Sequence, residues 1–268
     1  MDERRTRFRE LHESGCFPIP NPWSPGAARW LEHLGFPAVA TTSSGMAWSA
    51  ARPDNGVTLD FALSHIAAVA EATTLPVNAD FEHGFADAPE EVAANVRRCA
   101  ETGVAGLSVE DTTGRADEPL YEFDLAVDRV AAAAQALAGT GVLLTARAEV
   151  HLVGHPDPLP EAIRRLQAYA AAGADVLFAP GLRERDSIRA VCEAVAPKPV
   201  NVLWAAPGMT MDELAALGAR RVSVGGSLAR AAWAAFDAAA RGLLEGSFEG
   251  LAGALNGGDL NRVMGPSA

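Results

Sequence analysis

Short apolar segments alternate with longer amphipathic segments along most of the chain. Eight short runs are rich in β-branched and other apolar residues, and each precedes a longer stretch whose apolar positions recur at helical spacing. The runs cover residues 16–21, 38–43, 76–82, 106–112, 142–149, 174–180, 200–204 and 221–226. Their starts lie 21 to 38 residues apart, which is too far for hairpins and typical of strands joined by crossover helices. The pattern therefore predicts eight strand–helix units.

The strand pattern also predicts how these units assemble. Strands that are apolar on both faces and alternate with helices form parallel sheets, and eight such units close most naturally into a (β/α)₈ barrel of the TIM type. An open, doubly wound sheet is the alternative. We expect residues 1–268 to form a single barrel domain with a C-terminal helical extension from about residue 228. Helices predicted over 227–246 and 248–255 carry more apolar surface than barrel closure needs, so we expect them to pack against another subunit.

Net charge limits the partners of the chain. With 22 Lys and Arg against 34 Asp and Glu, the net charge is −12, which repels phosphate backbones and anionic lipid. We therefore expect no nucleic-acid partner and no membrane partner. An anionic substrate would need a local cation, either a bound metal ion or a converging arginine.

Cysteine usage and the chain start favour a cytoplasmic location. The three cysteines, at positions 16, 99 and 192, are far apart and have neither disulfide-framework nor zinc-site spacing. The first residues lack the apolar core of a signal peptide, and no run of 18 apolar residues predicts a membrane span.

Acidic residues stand at the ends of two neighbouring predicted strands. Asp80 and Glu82 end the third run and Glu110 ends the fourth. The carboxyl ends of barrel strands form the rim that carries catalytic groups, and strand alternation sends Asp80 and Glu82 to the same side. Three converging carboxylates repel one another unless a hard cation joins them, and Mg²⁺ prefers such ligands. The absence of His from this cluster disfavours zinc and iron, so the sequence predicts a magnesium site.

Arg147 ends the fifth run, and two readings of it remain open. Its planar guanidinium suits bidentate capture of a substrate carboxylate, but it could also neutralise the acidic rim as a structural ion pair. Nearby acidic residues have a comparable alternative, because Asp111 and Glu149 could cap the helices that follow them.

Further polar candidates follow the second and third runs. Hydroxyl groups and closely approaching backbone N–H groups suited to an oxyanion come from Thr42, Ser43, Ser44 and Gly45. Asp54 lies in a turn-forming run, where it could simply bond to its own backbone. His83 could be a general base or an ordinary surface-loop residue.

Taken in order, these segments resemble one known superfamily. The residues that carry the resemblance are 42–45, 53–54, 76–85, 109–111 and 145–149. Over about residues 8–245 the chain is similar to the isocitrate lyase/phosphoenolpyruvate mutase superfamily. The resemblance implies a Mg²⁺-dependent (β/α)₈ barrel that makes or breaks C–C or P–C bonds of 2-oxo acids through an enolate of pyruvate. It also implies a tetramer in which neighbouring subunits exchange the last barrel helix.

The resemblance implies roles for single residues around the metal and the substrate carboxylate. Asp80 matches the direct metal ligand of the family, and Glu82 and Glu110 match its water-mediated ligands. Ser44 and Gly45 match the segment that holds the pyruvyl carboxylate and oxygen. A Mg²⁺ ion bridging the 2-oxo group and the carboxylate would act as a Lewis acid.

Other matches and departures concern the reacting bond. Arg147 matches the cation that stabilises the enolate, and Asp54 matches an Asp that contacts ligand or metal-bound water. Family lyases have a Lys-Arg-Cys-Gly-His loop after the fourth strand, and mutases have a loop with Lys and Asn there. Residues 112–119 have neither, and their only strong cation is Arg115. Ala179 stands where mutases have His and isocitrate lyases have Glu.

These departures argue against assuming isocitrate cleavage or phosphonate formation. We expect a Mg²⁺-dependent lyase that acts on a small 2-oxo or 2-hydroxy carboxylic acid through a pyruvate-enolate-type intermediate. Its acid would be water, His83 or Asp54. The alternatives are P–C chemistry of the phosphoenolpyruvate mutase or phosphonopyruvate hydrolase type, and a non-catalytic 2-oxo acid binding protein. The expected partners are the small substrate and copies of the chain, in a homotetramer or dimer formed through the C-terminal helices.

Overall fold

The computed structural model describes residues 2–204 and 206–265, and eight parallel strands form its centre. The strands are β1 (Phe17–Ile19), β2 (Val39–Ala40), β3 (Val77–Asp80), β4 (Gly106–Glu110), β5 (Leu143–Arg147), β6 (Val176–Phe178), β7 (Val200–Leu203) and β8 (Arg221–Ser223). Each lies inside the corresponding predicted run and most are shorter, because the last residues of a run turn away into the rim loops. All eight predicted strands are confirmed.

The sheet closes on itself almost completely. Hydrogen bonds pair the strands in the order β1-β8-β7-β6-β5-β4-β3-β2, each pair parallel. At the remaining seam, Ala40 N donates to Pro20 O at 3.0 Å and Asn21 Nδ2 donates to Thr41 O at 3.0 Å. The (β/α)₈ barrel is therefore confirmed, and the open doubly wound sheet is excluded.

Helices surround the barrel. They are α1 (Glu3–Leu11), α2 (Pro25–His33), α3 (Ser43–Ser49), α4 (Leu59–Glu71), α5 (Pro89–Ala100), α6 (Phe123–Leu137), α7 (Pro158–Ala171), α8 (Arg185–Ala194), α9 (Met211–Ala216), α10 (Ser227–Leu244) and α11 (Gly257–Met264). Side-chain caps and N-terminal prolines set several starts: Ser24 caps α2 ahead of Pro25, and Thr210 forms a capping box with Glu213 at α9.

Two apolar cores hold these layers together. The larger core lies between the strands and the outer helices. A smaller one lies at the amino-terminal end of the barrel, where the fully buried Phe8 of α1 packs with Phe17, Ile19 and Leu143. Helix α1 thus covers the bottom of the barrel, and the inner cavity opens at the other end, at the rim where the strands terminate.

The C-terminal segment differs in part from the sequence prediction. Helix α10 fits the predicted 227–246, but the predicted helix over 248–255 is reduced to a 3-10 turn at Glu249–Leu251, and α11 follows it. Gly250 and Gly253 interrupt this stretch, and glycine weakens helices. Trp233, Phe236 and Leu244 are exposed on α10, Leu244 to 90%. Among the described residues, no helix has both the length and the apolar character to cross a bilayer.

Candidate active site

A small cavity of about 150 Å³ opens at the carboxyl ends of the strands. Arg147 and Asp80 line it together with the loop after β2 and with Gly225 and Gly226 after β8. Such a volume holds a few water molecules or a small organic acid, and it is well below that of pockets for drug-sized ligands.

Arg147 lies at the centre of the acidic residues. Its Nη1 contacts Asp80 Oδ1 at 2.8 Å, and its Nη2 contacts Glu110 Oε2 at 3.0 Å and Glu149 Oε1 at 2.8 Å. Strand register produces this arrangement, because Glu110 on β4 pairs directly with Arg147 on β5. Burial favours the neutral guanidine, but the three carboxylates outweigh it and raise the pKa of Arg147. The arginine stays cationic at any physiological pH.

Asp80 links this cluster to the loop after β2. Its Oδ2 accepts a hydrogen bond from Ser43 N at 2.9 Å, and its backbone N–H donates to Thr41 Oγ1 at 2.8 Å. Because Ser43 is the first residue of α3, the carboxylate also lies at the positive end of that helix. Asp80 is thereby fixed between α3 and Arg147.

Glu82 has the most unusual environment in the site. Its φ of +48° is rare for a residue other than glycine, and its side chain is 2% exposed. Burial and the carboxylates of Asp80, Glu110 and Asp54 raise the pKa of Glu82 to about 8. Its buried Oε1 has no hydrogen-bond partner among the described residues. A buried carboxylate oxygen without a hydrogen-bond donor is a suitable ligand for a hard cation or for a water molecule bound to that cation.

Arg129 of α6 holds the loop that carries Glu82. Its guanidinium donates to the carbonyls of Ala86 and Asp87, the latter at 2.6 Å, and to the carbonyl of His83. It also stacks on the Tyr121 ring at 3.9 Å. This single buried side chain therefore fixes the backbone on the far side of Glu82.

The three predicted metal ligands are close together, but Arg147 engages two of them. Asp80 and Glu110 bond to its guanidinium, and Thr112 donates to Glu110 Oε1 at 2.6 Å. Burial raises the pKa of Glu110, and Arg147 opposes that rise. Within residues 2–204 and 206–265, no three His, Cys, Asp or Glu side chains have the geometry of a metal site. The donor chemistry fits Mg²⁺, and the ligand assignment of Asp80, Glu82 and Glu110 stays a prediction.

The loop after β2 forms one wall of the cavity. Thr42 caps α3, and its hydroxyl lies 3.0 Å from Ser44 Oγ. A Cβ at Gly45 would lie 2.7 Å from Trp23 Cβ and 2.8 Å from Thr42 Cγ2, so only glycine fits there. The predicted substrate-binding set of Thr42, Ser43, Ser44 and Gly45 is thus continuous, and its first three members line the cavity.

Asp54 stands where this cavity joins a second one. The outer cavity, of about 280 Å³, shares Ser43, Asp54 and Arg147 with the inner one and is also lined by Arg115. Burial and the nearby Asp80 carboxylate raise the pKa of Asp54. Its alternative role is also present, because Asp54 Oδ1 accepts from Asn55 N at 3.1 Å.

His83 is set apart from the other predicted residues. Burial lowers its pKa, and the charged groups that act on it are Arg129, Asp87 and Arg115. Its ring packs against Phe85 with centroids 5.8 Å apart. The geometry therefore groups His83 with the loop after β3, while Asp54 and Arg147 face the two cavities.

Asp111 and Glu149 support Arg147 and cap no helix, since the caps of α6 and α7 are Glu122 and Asp157. Asp111 accepts from Glu149 N at 2.8 Å, from Tyr169 Oη at 2.6 Å and from Arg165 Nη1 at 3.1 Å. The capping alternative is therefore wrong for both acids. Arg147 forms the structural ion pairs that the sequence allowed for. Its binding of a substrate carboxylate stays a prediction.

Six further polar residues line the inner cavity, and the sequence pattern does not single them out. They are Asn21, Asn78, Ser108, Asn201, Arg221 and Ser223. A usable signal existed, because an Asn or Arg inside an otherwise apolar strand run is unusual for a buried strand.

The chain is similar to known proteins in sequence and in fold. The phosphoenolpyruvate phosphomutase family profile matches residues 8–244. An oxaloacetate decarboxylase from Pseudomonas entomophila is 31% identical over 227 residues, which is 81% of this chain and 77% of the relative.

Two solved structures are also similar. One is a Burkholderia cenocepacia J2315 protein with a suggested lyase or mutase activity; it has a TM-score of 0.93 and 50% identity, over 97% of this chain and 95% of its own. The other is a phosphonopyruvate hydrolase in complex with oxalate and Mg²⁺, with a TM-score of 0.86 and 26% identity, over 97% and 94% of the two chains. The protein therefore belongs to the phosphoenolpyruvate mutase family, within the enzyme superfamily of phosphoenolpyruvate mutases and isocitrate lyases.

Proposed function

We propose that the protein is a Mg²⁺-dependent lyase that cleaves or forms a C–C bond in a small 2-oxo or 2-hydroxy carboxylic acid, through an intermediate of the pyruvate-enolate type. The observation that carries this proposal is the convergence of Asp80, Glu110 and Glu149 on Arg147 beside the buried, unpartnered Glu82 oxygen. Structural ion pairs seldom leave a buried carboxylate oxygen without a partner.

Asp80, Glu82 and Glu110 would hold the magnesium ion. The ion would supply Lewis-acid polarisation of the substrate's oxo group. The related phosphonopyruvate hydrolase was solved with oxalate and Mg²⁺, and oxalate has the planar, dianionic shape of a 2-oxo acid enolate. That precedent supports the same cation in this chain.

Arg147 would stabilise the negative charge that develops when the bond next to the oxo group breaks. Its guanidinium is already fixed by carboxylates on both of its Nη atoms, so little reorganisation is needed as the charge appears. The α3 N-terminus and the Ser44 hydroxyl would orient the substrate carboxylate. Gly45 would contribute behind this wall, where the missing Cβ lets Trp23 and Thr42 pack closely.

Asp54 is the group best placed to hold a proton near the reacting carbon. It lines both cavities, and because its pKa is raised, a larger fraction of Asp54 is protonated than of an exposed carboxyl group at the same pH. Residues 112–119 offer no cysteine for this purpose. Water and Asp54 are therefore the candidate acids, and His83 is less favoured because of its position.

Oxaloacetate is the first substrate to test. The inner cavity suits a small acid, and a curated relative is an oxaloacetate decarboxylase. The protein would be incubated with oxaloacetate or phosphonopyruvate, with Mg²⁺ or after exhaustive chelation, and products followed by ¹H and ³¹P NMR. We expect pyruvate from oxaloacetate, no turnover without metal, and a loss of about a hundredfold or more in Asp80→Asn.

The control is Asp186→Asn, which removes a carboxylate that is 97% exposed on α8 and paired only loosely. It should keep wild-type turnover. Undiminished activity in the chelated enzyme or in Asp80→Asn would defeat the proposal. If phosphonopyruvate is the only substrate that is turned over and it yields a new phosphorus-containing product, the protein carries out P–C chemistry instead. Mg²⁺-dependent binding of oxalate without turnover of any oxo acid would establish a binding protein.

We also propose that the chain forms a homotetramer or dimer through its C-terminal helices. Trp233 and Phe236 form an edge-to-face pair on α10, and both are exposed, to 47% and 64%. A soluble protein seldom leaves such a pair in water.

A further inference from the structure

Arg221 is a buried cation that forms no ion pair with any carboxylate of the described residues. It starts β8, it is 3% exposed, and it reaches across the barrel interior to four side chains. Its Nε donates to Asn201 Oδ1 at 2.8 Å, its Nη2 to Thr145 Oγ1 at 2.9 Å, and its Nη1 lies 3.3 Å from His12 Nε2 and 3.4 Å from Asn78 Oδ1. None of these groups is an acid.

His12 does not change this balance. Its Nδ1 lies 2.7 Å from the carbonyl of Phe8, so Nδ1 donates and Nε2 accepts from Arg221. Burial and the Arg221 charge lower the pKa of His12 to about 3, which keeps it neutral. Burial alone lowers the pKa of Arg221 to about 9, so the guanidinium remains charged at neutral pH. In the part of the chain that the structure describes, none of the ion pairs within 4.0 Å includes Arg221.

A buried, unneutralised cation is costly to fold around. Desolvation of a charge in a protein interior is strongly unfavourable unless a counter-charge compensates for it. A methionine would fill most of the same space without that cost. The charge therefore calls for a function that an apolar side chain could not perform.

The position of Arg221 indicates what that function is. Thr145 precedes Arg147 by two residues on β5, and Asn78 precedes Asp80 by two residues on β3, so Arg221 lies one layer, roughly 7 Å, below the Arg147 cluster. Both arginines line the same inner cavity. One Nη2 hydrogen of Arg221 is not used in these contacts, and the Ser223 hydroxyl accepts from Asn201 at 3.0 Å and keeps its own proton to donate.

We propose that Arg221 and Ser223 form the floor of the cavity and bind a small monovalent anion there, below the level of Arg147. The anion is carboxylate-like in charge and size. It is supplied either by a carboxylate of the substrate, a source that rests on the proposed function, or by a small inorganic anion such as a halide. Asn201, Asn78 and Thr145 hold the guanidinium in place from below and from the sides.

Two substitutions test this floor site from opposite directions. Arg221→Met removes the charge and keeps an unbranched, somewhat shorter side chain. Asn201→Asp keeps Arg221 and adds the missing counter-charge at the atom that already accepts its Nε–H. We expect Asn201→Asp to melt at a higher temperature than the wild type without ligand and to lose anion binding. The control is Arg183→Met, which removes an exposed guanidinium.

The inorganic source is measured without metal, in EDTA. Melting temperatures are recorded in sodium bromide and, at equal ionic strength, in the sodium salt of HEPES, whose anion is a bulky sulfonate with neither a carboxylate nor a halide. Bromide should raise the melting temperature of the wild type and of Arg183→Met relative to this sulfonate, with no such rise in Arg221→Met or Asn201→Asp. A bromide-soaked crystal should show an anomalous peak beside Arg221. This measurement is independent of turnover, so it separates the floor site from the proposed function.

The substrate source is measured as oxalate affinity in Mg²⁺ by calorimetry. A loss of tenfold or more in Arg221→Met and Asn201→Asp, with wild-type affinity in Arg183→Met, identifies the floor ligand as a substrate carboxylate. A bromide effect with unchanged oxalate affinity identifies an inorganic anion. If Asn201→Asp retains both the bromide response and the oxalate affinity of the wild type, the proposal is overturned, even if Arg221→Met fails to fold.

Discussion

Asp111→Asn tests whether the network behind Arg147 is an essential part of the fold. Asp111 is 3% exposed, and its carboxylate is shared by Arg165, Tyr169 and the backbone of Glu149. Asparagine keeps the shape and one acceptor oxygen for Glu149 N, but it removes the charge facing Arg165 and the acceptor facing Tyr169. Breaking a buried ion pair costs about 3–5 kcal/mol.

The lower end of that range applies here. Arg165 keeps Glu161 at 2.7 Å and the Tyr121 carbonyl at 3.1 Å, so its charge is not left without partners. We therefore expect the free energy of unfolding to fall by about 3 kcal/mol, which lowers the melting temperature by roughly 6–12 °C for a chain of this size. Tyr169→Phe loses one bond to a charged acceptor and should cost about 1.5 kcal/mol.

The measurement is urea unfolding followed by circular dichroism, with the midpoint shifted and the slope unchanged. Asp128→Asn, at an exposed position of α6, is the matched control and should lie within about 0.5 kcal/mol of the wild type. A loss below about 1 kcal/mol in Asp111→Asn would refute the reasoning, because Arg165 and Tyr169 would then not depend on that carboxylate. Catalysis should survive Asp111→Asn better than Asp111→Ala, since only the latter releases Glu149.

Three further predictions concern the site and the surface. Between about pH 7.5 and 8, where a histidine of ordinary pKa is largely neutral, stability should fall as pH rises, because the Glu82 carboxyl, with its pKa of about 8, binds a proton in the folded state and none in the unfolded state. Burial raises the pKa of Glu149 to about 8 as well, so the dependence of the urea midpoint on pH should flatten in part in Glu82→Gln, and an unchanged slope there would assign the effect to other groups. Gly45→Ala should cost about 1–3 kcal/mol by overpacking against Trp23 and Thr42 and should weaken oxalate binding, with Gly257→Ala, at a helical glycine whose added Cβ meets no neighbour, as the matched control. Light scattering should give a mass that is a multiple of 27.9 kDa, and the double variant Trp233→Ser/Phe236→Ser should shift it towards the monomer; a monomeric wild type would contradict the proposed assembly.

The barrel could be predicted from sequence because its signals are local and repeated. Each strand is a short apolar run followed by a helical period, and register then brings neighbouring strand ends together, as it does for Glu110 and Arg147. The polar candidates at those ends needed no three-dimensional information beyond the rule that strand termini share one rim.

The parts that sequence reasoning missed depend on contacts between distant segments. The bond of Glu149 to Arg147 is local, since the two residues are only two apart, but the bond from Glu149 N to Asp111 that fixes this acid joins the ends of two different strands and cannot be read from sequence. The role of Arg221 cannot be read from sequence, because its partners come from the end of α1 and from β3, β5 and β7. The predicted helix over 248–255 is wrong for a local reason, because Gly250 and Gly253 outweigh its apolar spacing.

Arg129 has a consequence for how such enzymes can be re-engineered. It belongs to α6, yet its guanidinium determines the path of the loop after β3, more than forty residues earlier in the chain. If the loop after β3 were transferred from a relative into a chain without an arginine at this position of α6, the loop would lose these hydrogen bonds. The carboxylate at position 82 would then no longer be held in place. The smallest unit that can be exchanged between relatives is thus the loop after β3 together with α6, so the boundaries of a chimera should lie outside both.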